Sequence, residues 1–285
     1  MYNQPSFLKN PDAGRRLFLQ LKGFMSDTYW RDTARFLDRP LFVLPDIAFD
    51  ETTVKAINIH QYLRLGNRLE RFFSLIIDQS GRYEMLAENV QVIVDKVTIG
   101  ELDFIIRDNK THDVIHVELA GKMYLYDPHS DVDIKHWIGP NRRDSLAQKL
   151  TKLRERQLPL LYHPETAKKL RELGIAEQEI TQKVCLKIRQ FLPWQFNGFP
   201  ALSYPENVKG YYVSINDFDN DYFKAYHYFM PEKQDWIVHP ENGEVWLTYQ
   251  DILQHIKTMH EHRQSPLLWL KKPDGTYETL FVTFW

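Results

Sequence analysis

The sequence predicts an α/β protein: a mixed β-sheet flanked by helices, with an added α+β portion in its C-terminal third. Three observations predict it. Apolar residues between 65 and 77 recur every three or four positions, which is the spacing of an amphipathic helix. Three alternating, β-branched runs follow at 89–94, 102–107 and 114–119, and such runs make strands. A basic helical stretch and a further apolar run at 184–191 come next, so helices and strands alternate along the chain.

Residues 1–61 mix short helical patterns with the run Pro-Leu-Phe-Val-Leu-Pro at 40–45, and are expected to form a helical and irregular extension packed on the core. The core spans 62–192. It opens with a helix from Tyr62 that turns Leu65, Leu69, Phe72, Phe73, Ile76 and Ile77 inward and ends near Asp78-Gln79-Ser80-Gly81. After the three strands, Pro140-Asn-Arg-Arg-Asp144 reads as a loop with Asp144 as helix N-cap. The helix that follows directs Leu146, Leu150 and Leu153 inward and its basic residues outward, and a strand is expected at 184–191. The turn-rich segment 193–205 marks a soft boundary before the C-terminal portion, 193–285. Strands are expected there at 210–215, 236–238 and 245–247, then a helix at 249–260. A hairpin of 267–271 and 277–284 closes the chain, turning at Pro273-Asp274-Gly275.

Composition narrows the function. The single cysteine, Cys185, excludes an intramolecular disulfide and a Cys-based zinc cluster, and in its apolar run it reads as a buried thiol. Residues 1–16 carry no signal-peptide pattern, and no apolar stretch approaches the ~20 residues of a membrane span. A cytoplasmic protein without a membrane partner is the expectation. A net charge of −2 makes no global case for nucleic acid. Between Lys135 and Arg156, however, seven Lys/Arg stand against two acids, so a local case survives. A solvated helix face is the alternative account of that stretch.

The chemistry-bearing segment is 100–122, Gly-Glu-Leu-Asp-Phe-Ile-Ile-Arg-Asp-Asn-Lys-Thr-His-Asp-Val-Ile-His-Val-Glu-Leu-Ala-Gly-Lys. Two strands joined by a short loop at 109–112 set Asp108 against Asp113, and hence Asp103 against Glu118. Directly opposed residues share a face with Cβ atoms ~4.5–5.5 Å apart. Two such carboxylates repel unless a cation or a proton lies between them. Glu101 is expected on the same face. Hard cations such as Mg²⁺ take oxygen sites of this kind, completed by water and substrate phosphate. The alternative is a pair of carboxylates pointing to solvent, and a slip of one residue would send them to opposite faces. His116-Val-Glu118 matches a fragment of a deaminase motif, whose chemistry needs a Pro-Cys-x-x-Cys that one cysteine cannot supply.

The order of a helix with Gly66-Asn-Arg-Leu-Glu70, then Asp103, then Glu118 and Lys122, then a basic helix, resembles the PD-(D/E)XK nuclease superfamily. The phrases Gly100-Glu-Leu-Asp103, Val117-Glu-Leu-Ala-Gly-Lys122, Asp144-Ser-Leu-Ala-Gln-Lys149 and Gln157-Leu-Pro-Leu160 are similar to a bacterial family of unknown function, domain-of-unknown-function family 1853, grouped with that superfamily. The resemblance implies a restriction-endonuclease-like core and metal-assisted hydrolysis of phosphodiesters in DNA, favoured over RNA. Asp103 and Glu118 would bind Mg²⁺ or Mn²⁺ with the Leu119 carbonyl, and Glu70 would add a carboxylate from the helix. Lys122, or Lys149 with Gln148, would sit near the attacking water or the scissile phosphate, and Arg142, Arg143, Lys152 and Arg156 would contact nucleic acid. One departure bears on this. The superfamily pattern sets its lysine two residues after the glutamate, where this chain has Ala120. Lys122 is four residues on, ~13 Å along an extended strand instead of ~7 Å, unless Gly121 marks a bulge. The rival expectations are a catalytically silent scaffold that binds nucleic acid or protein, and an interaction protein working through its aromatic C-terminal third.

Overall fold

A computed structural model describes residues 13–55, 59–60, 63–130, 133–175, 180–198 and 200–285; the expected helix start at Tyr62 lies outside them. The first half of the chain forms α1 (Ala13–Ser26), α2 (Thr33–Leu37), α3 (Glu51–Lys55), α4 (Leu65–Gln79), β1 (Tyr83–Val94), β2 (Val97–Asp108), β3 (Val114–Tyr126) and β4 (Trp137–Ile138). The second half forms α5 (Leu146–Lys152), α6 (Pro164–Glu172), β5 (Ile180–Pro193), β6 (Val208–Ser214), α7 (Ile215–Phe218), α8 (Asp221–Lys224), β7 (His227–Phe229), α9 (Tyr249–Glu261), β8 (Leu267–Lys271) and β9 (Tyr277–Thr283).

The strands make one mixed sheet in the order β1-β2-β3-β5-β6-β9-β8-β7, with β4 added at the far end of β3. β1, β2 and β3 form an antiparallel meander; β3, β5, β6 and β9 run parallel; β8 and β7 return antiparallel. A parallel step needs a crossover. Between β3 and β5 it consists of α5, one π turn (Leu153–Gln157), a 3-10 segment (Leu158–Tyr162) and α6. The sheet continues through the 192/193 boundary, because β5 pairs with β6 from Gln190–Val208 to Pro193–Tyr212.

β3 is central and covered on both faces. Ile115, Val117, Leu119 and Met123 pack with Leu69, Phe72, Phe73 and Ile76 of α4. Ala120 and Tyr124 pack with Leu146 and Leu150 of α5 and with Leu153. Thus α4 and α5 lie on opposite faces of the sheet, each bringing its apolar stripe to the same strand.

The remaining edge of β5 is filled by the N-terminal segment. Trp30 N–H donates to Leu186 at 2.9 Å, Phe42 N–H to Val184 at 2.8 Å, and Val184 N–H to Pro40 at 3.1 Å. Below this edge Lys187 is buried. Its ammonium donates to the carbonyls of Met25 (3.2 Å) and Asp27 (2.6 Å) at the end of α1 and lies 4.2 Å from the centre of the Tyr29 ring. Arg189 Nε donates to Asp27 Oδ2 at 2.6 Å.

Several local expectations are corrected. Asp144 is not the N-cap of α5. Ser145 is, its Oγ accepting from Gln148 N–H at 3.2 Å, while Asp144 is drawn away by Lys122. Residues 236–238 form a turn, not a strand. The Trp236 and Ile237 carbonyls, which a strand would give to a neighbour, accept from Arg189 at 2.8 Å each, and Gly23 of α1 packs directly on Ile237. Of 245–247 only Leu247 pairs, with Tyr228. The closing hairpin and α9 form as expected, with Gly275 at φ +84° in the turn. No helix among the described residues is long and apolar enough to cross a membrane.

Replacing Lys187 with Met would leave the buried Asp27 carbonyl and the partly buried Met25 carbonyl without this donor. Each such loss costs about 1–3 kcal/mol, so Lys187→Met is expected to lower the urea midpoint of unfolding with an unchanged slope. An unaltered midpoint would show that the segment is held without this lysine.

Candidate functional site

β2 and β3 pair from Arg107–Val114 to Phe104–Val117 and then part. This register sets Asp103 opposite Glu118, as the sequence anticipates. At the parting the Asp103 side chain replaces the backbone ladder, its Oδ2 accepting Leu119 N–H at 2.8 Å. The N–H and C=O of a strand residue point to the same edge, so the Leu119 carbonyl also faces the gap that β2 leaves.

Glu118 is fully buried, and each of its oxygens has a neutral donor. Gln182, beside His116 on β5, fixes the first. A backbone carbonyl can only accept, so the Gln182 amide donates to the Leu158 carbonyl (2.8 Å) and to His116 Nδ1 (3.0 Å). His116 therefore carries its proton on Nε2 and donates to Glu118 Oε1 at 3.0 Å. The imidazole stays neutral, because burial pushes its pKa down to about 4. Glu118 Oε2 accepts from Gln157 Nε2 at 2.5 Å, and Gln157 Oε1 in turn accepts from Lys149 Nζ at 3.1 Å.

The electrostatics follow from crowding. Burial, and then the charge of Glu118, push the Asp103 carboxyl up to about 7. Burial also raises Glu118, against the pull of Lys149 and a hydrogen bond with Asp103. Burial lowers the Lys149 ammonium despite the two carboxylates near it. Glu70 stands at the margin on α4, raised by burial and then by Asp103 and Glu101.

Glu101 departs from expectation, because alternation breaks at Asp103. Leu102 and Ile105, three residues apart, both join the cluster of Leu160, Leu161 and Leu170, and Gly100 is pressed by Leu160. Opposite the break, Asn89 on β1 is left-handed at φ +53°, a conformation Asn tolerates. The change of facing turns Glu101 to the α4 side, away from Glu118.

Lys122 is not brought to the carboxylates. β3 keeps unbroken register with β5 from Val114–Ile180 to Leu125–Phe191, so Gly121 marks no bulge. It is there to admit Leu69, whose Cδ1 occupies the place a Cβ would take. Lys122 therefore keeps the Glu118 face at full strand distance and pairs with Asp144 Oδ2 at 2.8 Å. Lys149 takes the position near Asp103 and Glu118 instead. Gln148, expected beside it, is exposed on the outer surface with Lys152 and Arg156.

Gln157 occupies the role that Gln148 does not. Two turns on from Lys149 an unbroken α-helix would present Arg156; the π turn adds a residue and presents Gln157. Such turns recur at functional sites. Of the other expected basic residues, Arg142 stacks 3.9 Å over the Trp285 ring and pairs with Asp127 at 3.3 Å, whereas Arg143 is exposed. Among the described residues no three His, Cys, Asp or Glu side chains come close enough to hold a metal ion.

Fold and site together define a mixed α/β protein with a buried carboxylate–lysine centre where two strands of a single sheet diverge. Within that class, the chain belongs to the family described as Domain of unknown function (DUF1853), whose model matches residues 24–279. No curated protein and no solved structure matches the chain.

A raised carboxyl makes a signed prediction. Asp103 binds a proton in the folded state up to about pH 7, whereas its ordinary value is 3.8. Its contribution is therefore fully favourable below about pH 4 and is lost as pH rises through 7. In chelator, wild-type stability should fall between pH 5 and 8 more steeply than that of Asp103→Asn, measured as thermal midpoints. Parallel curves would refute the crowding.

Proposed function

We propose that this protein is a divalent-metal-dependent nuclease of the PD-(D/E)XK kind, with a restriction-endonuclease-like core, hydrolysing phosphodiester bonds in DNA or a related nucleic acid. One observation carries the reading: Asp103, Glu118 and Lys149 meet at the opening between β2 and β3. The order α4, then the strands that carry Asp103 and Glu118, then the basic helix α5 supports it, because the superfamily resemblance rests on that order.

The donor set fits Mg²⁺ or Mn²⁺, which need only one or two carboxylates when water and substrate phosphate complete the shell. Asp103, Glu118 and the Leu119 carbonyl would hold the ion. Each Glu118 oxygen keeps a lone pair beyond the hydrogen bond it accepts, and His116 and Gln157 orient the carboxylate as outer partners orient metal ligands. Glu70 would receive a hydrogen bond from a water of the ion. A bound cation would polarise a nonbridging phosphate oxygen and lower the pKa of the attacking water.

Lys149 supplies the proton-bearing group. Gln157 stands between it and Glu118, so the ammonium is not consumed in an ion pair with that carboxylate. With its pKa lowered by burial, it is suited to exchange a proton beside the attacking water. Lys122, engaged with Asp144, is left for substrate binding.

Calorimetry with Mn²⁺ and cleavage of labelled DNA and RNA test this together. Wild type should bind Mn²⁺, and Asp103→Ala/Glu118→Ala should not. Lys149→Met should keep Mn²⁺ binding but cleave about 100-fold more slowly, whereas Lys122→Ala should affect substrate affinity more than turnover. Unchanged Mn²⁺ binding in the double variant would sink the proposal. Mn²⁺ binding through these residues without cleavage of any substrate would leave the silent scaffold.

A further inference from the structure

The loop between β4 and α5 is held from outside by two residues that bracket the closing hairpin. Ser265, buried just before β8, donates its backbone N–H to Asn141 Oδ1 at 2.8 Å and its hydroxyl to the Pro140 carbonyl at 2.8 Å. Trp285, just past β9, donates its indole N–H to the same carbonyl at 3.0 Å. Both lone pairs of the Pro140 oxygen are thereby engaged. The Trp285 ring centre lies 3.9 Å from the Arg142 guanidinium. Three consecutive loop residues are therefore gripped by partners 124 to 145 positions away in the sequence.

The loop needs this grip. Arg142 is left-handed at φ +54°, a conformation that is strained for a non-glycine residue and persists where its surroundings impose it. The grip is passed on towards the helix. Arg142 N–H donates to the Gly139 carbonyl at 2.8 Å, and Gly139 N–H to the Asp144 carbonyl at 2.7 Å. Ser145 follows. Its hydroxyl caps α5 at Gln148 N–H, and its carbonyl accepts the Lys149 N–H at 3.0 Å. α5 is only seven residues long, and Lys149 stands about one turn from its start, so the loop decides where that side chain begins. The carboxylates, by contrast, are set by the register of β2 and β3.

We propose that Ser265 and Trp285 are positioning residues for Lys149: by fixing residues 140–142 they set the start of α5, and with it the place of the ammonium beside Asp103 and Glu118. The closing hairpin of the C-terminal portion thereby supports the centre between β2 and β3 without touching it. The proposal deepens the nuclease reading and rests on it, since that reading gives Lys149 a reaction to serve. A group that exchanges a proton in the transition state is sensitive to small displacements, and a shift of about 1 Å can cost about 100-fold in rate.

The test combines lysine labelling with kinetics in Ser265→Ala, Trp285→Phe and the double variant. Each single change removes one donor to Pro140 and keeps the other, and phenylalanine leaves a ring beside Arg142. Trace acetylation read by mass spectrometry reports the surroundings of each lysine without any need for turnover. In the double variant Lys149 should label several-fold faster, with the single variants in between, while buried Lys187 and exposed Lys152 keep their wild-type rates. Turnover should fall about tenfold with KM and Mn²⁺ affinity held. The same two changes added to Lys149→Met should cost nothing further, because residues that act through one group are not additive. Unchanged labelling of Lys149 in the double variant overturns the proposal. So does an equal rise at Lys187, which marks general loosening, or a full further loss of turnover in the Lys149→Met background. Normal Lys149 labelling in an active enzyme sinks only the positioning. Faster Lys149 labelling in a protein that cuts no substrate sinks only the nuclease reading.

Discussion

Putting an acid in the middle of a sheet is the constraint to which the surrounding structure answers. Glu118 has no solvent exposure and lies on a strand packed on both faces. An unpaired carboxylate there would cost several kcal/mol. The chain answers with a relay of neutral donors: Gln182 orients His116, His116 donates to one oxygen, and Gln157 donates to the other. Each link comes from a different element, so β3, β5 and the π turn must all be in position before the acid can be accommodated. The Asp103 carboxyl and the Lys149 ammonium complete the group from β2 and α5.

The same constraint explains where the sheet opens. A ladder continued past Phe104 would close the β2 edge over Leu119. Asp103 takes the Leu119 N–H with its side chain instead, which ends the pairing without leaving a buried donor unmet. The left-handed Asn89 across from it lets β1 follow the turn. On the other side, the N-terminal segment covers the edge of β5, so the opening beside β3 is not matched by a second one there.

Much of this is legible in the residues. The pairing of Asp108 with Asp113 fixes the whole β2–β3 register by counting, and with it the approach of Asp103 and Glu118. The side-chain period of two puts His116 on the Glu118 face, although the period alone does not reveal its role as an outer partner. Apolar spacing defines α4 and the inward stripe of α5. The rest depends on departures from ideal periods. Gln157 lies eight residues after Lys149, a spacing that an unbroken helix turns aside and the π turn turns inward. Glu101 follows the period of two only if alternation holds, and it fails at Asp103. Residues 236–238 carry strand-like side chains, but their carbonyls are taken by Arg189, a contact set by tertiary packing.

The strap along β5 also has a consequence in time. Lys187 and Asp27 are 160 residues apart in sequence, and contacts of such separation are made late, because a long loop must close before they return any stabilisation. On the ribosome, residues 27–42 emerge well before β5, with Trp30 and Phe42 still lacking the partner that buries them. That interval exposes apolar surface of the kind that chaperones bind and aggregation exploits. The segment at 27–42 is thus completed only once β5 has been made.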